Sequence, residues 1–391
     1  MTIKAVILDV EGTLLKRAFM RQYSIVPGAA DLIDRLRRRG IAVFIASNNF
    51  HDAYAVKGRL NIDDDKILHA DQVGAKKGGR KFIQHVCSQL SISSNQLLYL
   101  GDSQNDCYEA VNSNVAFFLA AWSNPTYRYG FPIEAPLKFA ELVETFFLKE
   151  ALWYYQIDDQ DSLGRNVTMR ALLDPDRSRD KGITDLLKSK GARGTRTIRG
   201  FKSNEYLSMH LFASVYLEGL HLTGSGRRLI WCMYPGHDGH YTSVLDAFIT
   251  MISRQFHERY IPSLIQRHTP AIHSSSARYQ GNASRVTLDN QLQSIRIDPS
   301  ISGKIVGQSV IVIDDFTTQG YSFETARNYL LNAGASSITC IAVGKYPGRY
   351  YARSPKDGIV WDSFASSPLT ESDFASKLVQ PLIDADALAS F

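Results

Sequence analysis

Two adjacent carboxylates, Asp314 and Asp315, follow the apolar run Val310–Ile313. A continuous β-branched run predicts a buried parallel strand, and open α/β sheets place their ligands at the carboxyl ends of such strands. Hydroxyl residues and a glycine follow within 317–322, before the helical pattern Phe323–Asn332. Such a loop directs backbone N–H groups at an anion, while the acids suit sugar hydroxyls or a magnesium ion. The stretch predicts a site for a phosphorylated sugar.

The same stretch resembles the phosphoribosyl pyrophosphate (PRPP) motif of the type I phosphoribosyltransferases, an acid pair followed by a Thr-x-Gly-x-Ser/Thr loop. The resemblance implies that Asp314 and Asp315 hold the ribose hydroxyls. The loop residues that would wrap the 5′-phosphate are Thr317, Thr318, Gln319, Gly320, Tyr321 and Ser322. Gln319 stands where the family usually has a small residue. Thr318 stands where the purine-salvage branch has an acid, which argues against a plain purine-salvage enzyme.

Four further motifs lie within the first 145 residues. They are Asp9-Val-Glu-Gly-Thr13 after an apolar strand, Ser47-Asn48-Asn49 after the strand Ile41–Ala46, Lys76 ahead of the helical pattern Phe82–Leu90, and Gly101-Asp102 to Asp106 after the strand Leu97–Leu100. In this order and spacing they resemble the motifs of the haloacid dehalogenase (HAD) superfamily. That resemblance implies an α/β hydrolase domain.

The HAD resemblance also implies a phosphatase that works through an aspartyl-phosphate. Asp9 would be the nucleophile, and Glu11 would protonate the leaving oxygen from a position where the family most often has Asp. Ser47 and Lys76 would bind the transferring phosphoryl group. Lys76 is preferred to Lys77 because its distance along the chain to the fourth motif fits the family's spacing. A retained fold whose chemistry has decayed is the open alternative.

A magnesium ion is implied by the same resemblance. Asp9, Asp102 and a backbone carbonyl would hold it, and Glu11 is counted among the metal-site residues. Asp106 would orient a metal-bound water.

The intervals between the HAD motifs are short. Between Thr13 and Val43 there is room for a turn and the helix Ala29–Arg38, and between Asn49 and Lys76 for one helix and one short strand. Neither interval can hold a cap domain, so we expect a capless member. Such a site either acts on a bulky substrate or is closed by another domain or subunit.

The order of the elements after Glu205 resembles the ComF-like branch of the transferases. The region begins with a helix Glu205–Leu220 and a strand Arg228–Tyr234. The elements that carry the resemblance follow: a helix Val244–Tyr260, an Arg-His-Thr segment, a polar loop, a Gly-Lys-x-Val-Gly segment and the acid-pair strand. The resemblance implies that the loop after the first strand and the polar loop bind pyrophosphate. The candidate residues are Pro235, Gly236, His237, Asp238, Arg278 and Arg285, with Arg267 as a further candidate. A plain polar loop and solvated arginines are the alternative.

The fold class we expect is α/β, with two doubly wound Rossmann-like domains. Residues 1–148 form the HAD-like domain, 149–204 a linker or hood, and 205–391 the transferase-like domain, whose sheet is closed by the strand Ser337–Lys345. The Arg/Gly stretch 191–200 suits either a solvated linker or a surface for nucleic acid, and the linker is favoured.

Composition limits the class of protein. The 391 residues contain no apolar run long enough to span a membrane and no signal peptide, and the four cysteines form no CxxC pair. We therefore expect a cytoplasmic protein without a membrane partner. The net charge of +5 is too mild to call for nucleic acid by itself. A homodimer is expected, because transferases of the type that the chain resembles commonly dimerise.

Two functions remain open at this point. The first is a bifunctional enzyme of nucleotide metabolism, in which magnesium-dependent phosphoribosyl transfer from PRPP is coupled to hydrolysis of a phosphorylated small molecule or nucleotide. The alternative is a regulatory protein of bacterial stress response or phage defence that senses PRPP or a nucleotide with little or no transfer.

Overall fold

The computed structural model describes residues 3–17, 23–127, 129–148, 153–175, 205–223, 229–241, 243–256, 258–271 and 287–384. The chain divides into two compact units. Unit 1 comprises Met1–Glu150 with Met251–His257, and unit 2 comprises Ala151–Thr250 with Glu258–Phe391.

Unit 1 is built around a six-stranded sheet in the order β5-β4-β1-β6-β7-β8, with every pair parallel. The strands of the unit are β1 (Ala5–Asp9), β2 (Leu15–Arg17), β3 (Tyr23–Ile25), β4 (Ala42–Ser47), β5 (Ile67–His69), β6 (Leu97–Gly101), β7 (Ala116–Ala120) and β8 (Phe131–Ile133). Every residue of β1, β6 and β7 is buried, as expected of a parallel sheet that helices cover on both faces.

The described part of residues 3–148 contains six α-helices. They are α1 (Ala29–Arg38), α2 (Phe50–Leu60), α3 (Ala70–Val73), α4 (Lys81–Leu90), α5 (Gln104–Asn112) and α6 (Pro136–Leu142), which continues into a π-helical turn at Val143–Phe147. Side chains of α4 and α5, such as Phe82 and Ala110, share one core with Ile7 of β1. The connections through α1 and α2 run in the opposite direction along the sheet, so right-handed crossovers place these two helices on the other face.

The strand order makes β1 the point at which the chain changes direction along the sheet. β4 lies on one side of β1 and β6 on the other, and Asp9 pairs in register with Ala46, next to Ser47. Ligands of open α/β sheets bind outside the carboxyl ends of the strands at such a switch point. Asp9, Ser47 and Asp102 are therefore presented at one edge.

Between β1 and β6 the described residues form the small antiparallel pair β2–β3, the strands β4 and β5, and the helices α1 to α4. Within the described ranges this interval contains no separately folded cap. A capless site stays a prediction.

Unit 2 contains a seven-stranded mixed sheet in the order β12-β11-β15-β16-β10-β9-β19. Its strands are β9 (Tyr155–Gln160), β10 (Asn166–Leu173), β11 (Leu229–Met233), β12 (Arg259–Tyr260), β15 (Ser309–Thr317), β16 (Ser337–Lys345) and β19 (Leu382–Ile383). Two antiparallel pairs stand apart, one of β13 (Ile265–Arg267) with β14 (Ile295–Ile297) and one of β17 (Tyr351–Pro355) with β18 (Phe374–Leu378). Pairing is parallel from β12 to β10 and antiparallel from β10 through β9 to β19.

Five further helices follow in chain order. They are α7 (Glu205–Thr223), α8 (Ser243–Gln255), α9 (Leu288–Leu292), α10 (Ser302–Ile305) and α11 (Tyr321–Asn332). None of the helices in the described ranges combines the length and the apolar character needed to cross a membrane.

Two expectations about unit 2 are corrected. Part of the segment expected as linker or hood, residues 155–173, forms β9 and β10 within the sheet. β10 pairs in parallel with β16, so Ser337–Lys345 does not close the sheet. The strand signal of β10 was hidden because the segment carries many charges, yet these are partnered: Arg170, only 7% exposed, pairs with Asp158 and Glu218.

Helix α11 is fixed by buried ion pairs. Arg327, only 1% exposed, contacts Glu324 at 2.7 Å and Asp161 at 3.0 Å. Glu324 also accepts hydrogen bonds from the Tyr350 hydroxyl at 2.8 Å and the Arg353 amide at 2.7 Å. Because Arg327, Glu324 and Asp161 are paired with one another, removing one of them would leave an uncompensated buried charge. The helix that follows the acid pair is thus rigidly placed.

Candidate functional site

Three carboxylates converge at the carboxyl edge of the sheet in unit 1. Oxygen atoms of Asp9, Asp102 and Asp106 all lie within 4.8 Å of one another. Asp9 is the last residue of β1, Asp102 directly follows β6, and Asp106 stands in the first turn of α5. Parallel strands whose ends meet at one edge therefore bring together acids that lie some ninety residues apart in the chain.

The structure corrects the choice between two adjacent lysines. Lys77 Nζ donates hydrogen bonds to Asp9 Oδ1 and, at 2.7 Å, to Asp106 Oδ1, and its side chain is 6% exposed. Lys76, which the motif spacing favours, is exposed. Distance along the chain cannot separate neighbours, because adjacent side chains on an irregular segment leave the backbone in different directions. Lys77 is the lysine placed to neutralise charge beside Asp9.

The segment that carries Lys77 is held by two side chains from other elements. Asn48 Oδ1 accepts a hydrogen bond from the Lys77 amide at 2.7 Å. Glu109, which is completely buried on α5, accepts hydrogen bonds from the amides of Gly78 at 3.0 Å and Phe82 at 2.9 Å. The glutamate thus satisfies donors at the N-terminus of α4 that have no partner within the helix.

Asp106 is the most completely partnered of the three acids. Besides Lys77, it accepts hydrogen bonds from the Tyr99 hydroxyl at 3.0 Å and from the amide and the hydroxyl of Ser103 at 3.1 and 2.5 Å. The Ser103 contacts form a capping box at the start of α5. Asp106 is therefore fixed in orientation by its surroundings.

Asp102 is held from the opposite side. Its carboxylate accepts a hydrogen bond from Ser123 Oγ at 2.8 Å, and its backbone carbonyl accepts one from Asn124 Nδ2 at 3.0 Å. Gly12, with φ of +78°, packs so closely that a Cβ there would stand 1.9 Å from Asp102 Oδ2. The glycine of the first motif is thus required both by its backbone conformation and by the approach of Asp102.

The acids repel one another in this arrangement. Burial, with a further contribution from Asp106, raises the pKa of Asp9 well above its usual value, and Lys77 opposes the shift. Burial also raises the pKa of Asp102, against the hydrogen bond from Ser123. For Lys77, burial alone would lower the pKa, but attraction to Asp9 and Asp106 outweighs it and raises the pKa.

This donor set fits a magnesium ion. It offers only carboxylate oxygens, which are the hard ligands that Mg²⁺ prefers, and a bound cation would offset the charge of three carboxylates that have one lysine among them. Glu11, which we counted among the metal-site residues, is exposed and lies outside the cluster of ligand atoms within 4.8 Å.

Ser47 and Thr13 complete the surroundings of the nucleophile candidate. Ser47, at the end of β4, is 2% exposed, and its hydroxyl accepts a hydrogen bond from the Asn49 amide at 2.9 Å. The Thr13 hydroxyl donates to Asp9 Oδ2 at 3.2 Å. Sequence reasoning did not single out Thr13, Tyr99, Glu109 or Ser123. Thr13 could have been predicted from the sequence, because it belongs to the motif Asp9-Val-Glu-Gly-Thr13.

In unit 2 the two loops predicted to bind PRPP leave neighbouring strands. β11 pairs with β15 up to Met233 and Ile313, and the amide of Tyr234 donates to the carbonyl of Ile313 at 2.9 Å. The loop that begins at Pro235 and the acid pair therefore start side by side at the carboxyl edge of the sheet. Of the predicted pyrophosphate-loop residues, Pro235, Gly236, His237 and Asp238 lie in this loop.

The acid pair does not end its strand as expected. β15 continues to Thr317, with Asp314 paired to Ala342 and Thr317 to Lys345 of β16, although the pairing with β11 stops at Ile313. Both acids are half-buried. On one side β16 thus continues to pair with β15 beyond the acids. On the other side the pairing with β11 has ended, and the chain of β11 continues into the loop at Pro235. Thr318, Gln319 and Gly320 form the connection to α11, which begins with Tyr321 and Ser322.

Gly320 is explained by packing within the protein. Its φ is +79°, and a Cβ there would stand 2.2 Å from the ring of Tyr350. Gly236 is constrained similarly, because a Cβ there would meet the carbonyl oxygen of His240 at 2.7 Å. Both glycines are needed for the fold, whether or not a phosphate approaches them.

Arg267 stabilises the loop that begins at Pro235. Its guanidinium donates to the carbonyls of Gly236 at 2.7 Å and Pro235 at 3.3 Å, and to Gln291 Oε1 at 3.0 Å. The other arginines proposed for pyrophosphate, Arg278 and Arg285, and the Arg/Gly stretch 191–200 lie outside the described residues.

Comparison with known proteins assigns the first unit. Residues 3–120 match the family described as haloacid dehalogenase-like hydrolase. No curated protein matches the chain. Unit 1 is therefore an α/β, Rossmann-like HAD hydrolase domain with a parallel sheet.

Solved structures with similarity to the chain include several HAD proteins. A HAD-superfamily hydrolase of subfamily IA from Geobacter sulfurreducens is 16% identical, with a TM-score of 0.31, over 36% of this chain and 100% of its own. CbbY from Rhodobacter sphaeroides, in complex with phosphate, is 16% identical, with a TM-score of 0.31, over 36% of this chain and 96% of its own. The cobalt-bound deoxy-D-mannose-octulosonate 8-phosphate phosphatase from Haemophilus influenzae is 17% identical, with a TM-score of 0.31, over 36% and 87%.

Proposed function

We propose that unit 1 is a magnesium-dependent phosphomonoesterase that works through an aspartyl-phosphate. The observation that carries the proposal is the buried Asp9 carboxylate, placed within 4.8 Å of two further acids and bonded to Lys77. A carboxylate nucleophile needs cations around it, because both it and the phosphate are negatively charged. A bound Mg²⁺ would offset charge on the phosphoryl oxygens and on the acids.

The proposed reaction has two steps, formation and hydrolysis of the aspartyl-phosphate. In the first, a carboxylate oxygen of Asp9 forms a bond to phosphorus while the bond to the leaving oxygen breaks, and Glu11 gives that oxygen a proton. In the second, Glu11 takes a proton from a water molecule that attacks the aspartyl-phosphate, and inorganic phosphate leaves as Asp9 is regenerated. Ser47 and Lys77 bind the phosphoryl oxygens throughout.

The test is hydrolysis of a panel of phosphomonoesters with Mg²⁺, compared between the full-length protein and Asp9→Asn. We expect Mg²⁺-dependent release of phosphate that EDTA abolishes, and loss of turnover by at least about a thousandfold in the variant, since the amide cannot act as nucleophile. Phosphate release that Asp9→Asn leaves intact would sink the proposal.

For unit 2 we propose binding of PRPP with Mg²⁺, and transfer of its phosphoribosyl group to an acceptor base with loss of pyrophosphate. The juxtaposition of the acid pair and the loop at Pro235, at the ends of β15 and β11, supports this proposal. Asp314 and Asp315 would hold the ribose hydroxyls, and the connection through Gly320 the 5′-phosphate. Pyrophosphate would lie against the loop at Pro235.

Calorimetric titration with PRPP and Mg²⁺ tests the second site, using wild type and Asp314→Asn/Asp315→Asn. We expect binding that the double variant loses, because the amides cannot accept from the ribose hydroxyls with the strength of carboxylates. Absence of binding to the wild type would end the proposal for unit 2. Binding without turnover on any nucleobase would favour the alternative, a PRPP- or nucleotide-sensing regulatory or defence protein.

A further inference from the structure

A cluster of aromatic rings lies beside the phosphatase site of unit 1. Phe50 and Tyr54, one helical turn apart on α2, have ring centroids 4.5 Å apart, and the ring of His69 stands 5.1 Å from that of Phe50. We call these three side chains the aromatic platform. His51 extends it, with its ring centroid 5.7 Å from that of Phe50.

The two largely apolar rings of the platform are exposed, and the third, His69, is half-buried, with its Nδ1 accepting a hydrogen bond from the Gln72 amide at 3.4 Å. Phe50 is 43% exposed and Tyr54 36%, while Ala53 and Val56 on the inner side of α2 are fully buried. The helix therefore already has a core-facing side, and the platform is an additional apolar surface that is not needed for packing α2 on the sheet. Single exposed apolar residues are ordinary, but a contiguous group of rings marks a binding surface.

The chain places the platform at the rim of the site. Phe50 is the first residue of α2, and Asn49 caps the helix by accepting from the His51 amide at 2.8 Å. Phe50 is three positions after Ser47 in the chain, so the two Cα atoms cannot be more than about 11 Å apart. His69 ends β5 and pairs in register with Ser47. The platform therefore begins within about 11 Å of Ser47, which is proposed to bind the phosphoryl group.

We propose that the platform binds the base of a nucleoside monophosphate whose phosphate is held at Asp9. This inference rests on the proposed phosphatase function and names its substrate class: phosphomonoesters whose leaving group carries a planar heteroaromatic ring. Aromatic side chains stack on any nucleobase, because every base has a π-face. Since the described part of unit 1 has no cap to enclose a substrate, stacking on the platform supplies the contact that orients the leaving group.

The experiment compares two substrates that differ only in the base, adenosine 5′-monophosphate and ribose 5-phosphate, both with Mg²⁺. The proteins are wild type, Phe50→Ala/Tyr54→Ala and Phe50→Trp. A matched control is Tyr108→Ala, since Tyr108 is 45% exposed and lies on α5, which packs on the opposite face of the sheet. All substitutions are at exposed positions, so folding should be retained.

In the double variant we expect the KM for adenosine 5′-monophosphate to rise about tenfold, as for loss of one stacked base, with kcat unchanged within about twofold. The KM for ribose 5-phosphate should not change, Phe50→Trp should retain wild-type values, and Tyr108→Ala should behave as wild type. Equal KM values for the two substrates in the wild type, or equal losses on both in the variant, would overturn the inference.

Failure of the phosphatase proposal is distinguishable. If the wild type hydrolyses neither compound, calorimetric titration of the same proteins with the same two compounds decides the question. Tighter binding of adenosine 5′-monophosphate than of ribose 5-phosphate, lost in Phe50→Ala/Tyr54→Ala, supports a base-binding platform without phosphatase turnover. Equal affinity, or no binding of either compound, refutes the platform as a nucleotide site.

Discussion

At the scale of single residues, the chemistry proposed for unit 1 depends on the ammonium group of Lys77 between two carboxylates. It bonds to Asp9 and Asp106, and its side chain is almost completely removed from solvent. A charge in such surroundings acts more strongly than it would in water. In the proposed mechanism Lys77 therefore keeps the acids together and attracts a phosphoryl group to Asp9.

The two adjacent lysines allow a matched test of this role. In Lys77→Met we expect kcat/KM for phosphomonoester hydrolysis to fall by about a hundredfold or more, as when one stabilising donor is removed from an active site. Lys76→Met should stay within about twofold of wild type, because Lys76 is exposed. Steady-state kinetics measure both. A larger loss in Lys76→Met than in Lys77→Met would contradict the assignment.

A second buried lysine, Lys345 at the end of β16, is expected to make the free energy of unfolding of unit 2 depend on pH. It is 2% exposed, and burial lowers its pKa to about 8, with attraction to Asp174 opposing the shift. Because the folded pKa lies below the unfolded one, the unfolded chain binds more protons between pH 8 and 10. The free energy of unfolding therefore rises with pH over that interval.

We expect the contribution of Lys345 to the free energy of unfolding to grow by about 1.5 kcal/mol from pH 8 to pH 9.5. The variant Lys345→Met should not show this increase. Denaturant unfolding of wild type and variant at both pH values measures the difference, which cancels titrations common to the two proteins. Lys377→Met, at a position 41% exposed in its side chain, is the control. A wild-type-minus-variant difference that is constant with pH would contradict the shifted pKa.

At the scale of elements, α4 and α5 are joined through Glu109. Its carboxylate accepts from amides at the start of α4, so the segment that carries Lys77 is anchored to the helix that carries Asp106. In Glu109→Gln an amide nitrogen faces a backbone donor, and one buried hydrogen bond is lost. We expect the free energy of unfolding to fall by about 1–3 kcal/mol. Chemical denaturation measures this effect.

A positioning role for Glu109 predicts more than a loss of stability. At denaturant concentrations well below the unfolding midpoint, Glu109→Gln should lower kcat, because Lys77 is displaced. It should also lower kcat/KM for adenosine 5′-monophosphate and for ribose 5-phosphate by the same factor, because the platform is untouched. Gln104→Ala, on the exposed surface of the same helix, is the control. If folded Glu109→Gln keeps the wild-type kcat, the glutamate is structural only.

The sequence predicts those elements best whose apolar residues either form a continuous run or recur at the spacing of a helix. The helix Ala29–Arg38 and the strand Ser337–Lys345 have the predicted bounds. The strands in residues 155–173 were not predicted, because charged residues break the apolar pattern of β9 and β10. The partners of these charged residues become visible only in the fold. The choice between Lys76 and Lys77 failed for a related reason: motif spacing specifies a residue type near a position, whereas Asn48 and Glu109 decide which side chain turns inward.

At the scale of the whole molecule, each unit has its own sheet and its own buried core. The proposed chemistries form a sequence, because phosphoribosyl transfer makes a compound with a 5′-phosphomonoester, the bond that the proposed chemistry of unit 1 hydrolyses. The coupling of the two sites within one chain is therefore a hypothesis that substitutions at separate sites can test.

With PRPP, Mg²⁺ and a mixture of free nucleobases, we expect wild type to yield a nucleoside and inorganic phosphate together with pyrophosphate. Asp9→Asn should release pyrophosphate at the wild-type rate but accumulate the phosphorylated nucleoside, because transfer proceeds and hydrolysis stops. Asp314→Asn/Asp315→Asn should make neither product while still hydrolysing added adenosine 5′-monophosphate. Mass spectrometry of the products distinguishes these cases. If Asp9→Asn accumulates no more phosphorylated product than wild type, the two sites do not act in sequence.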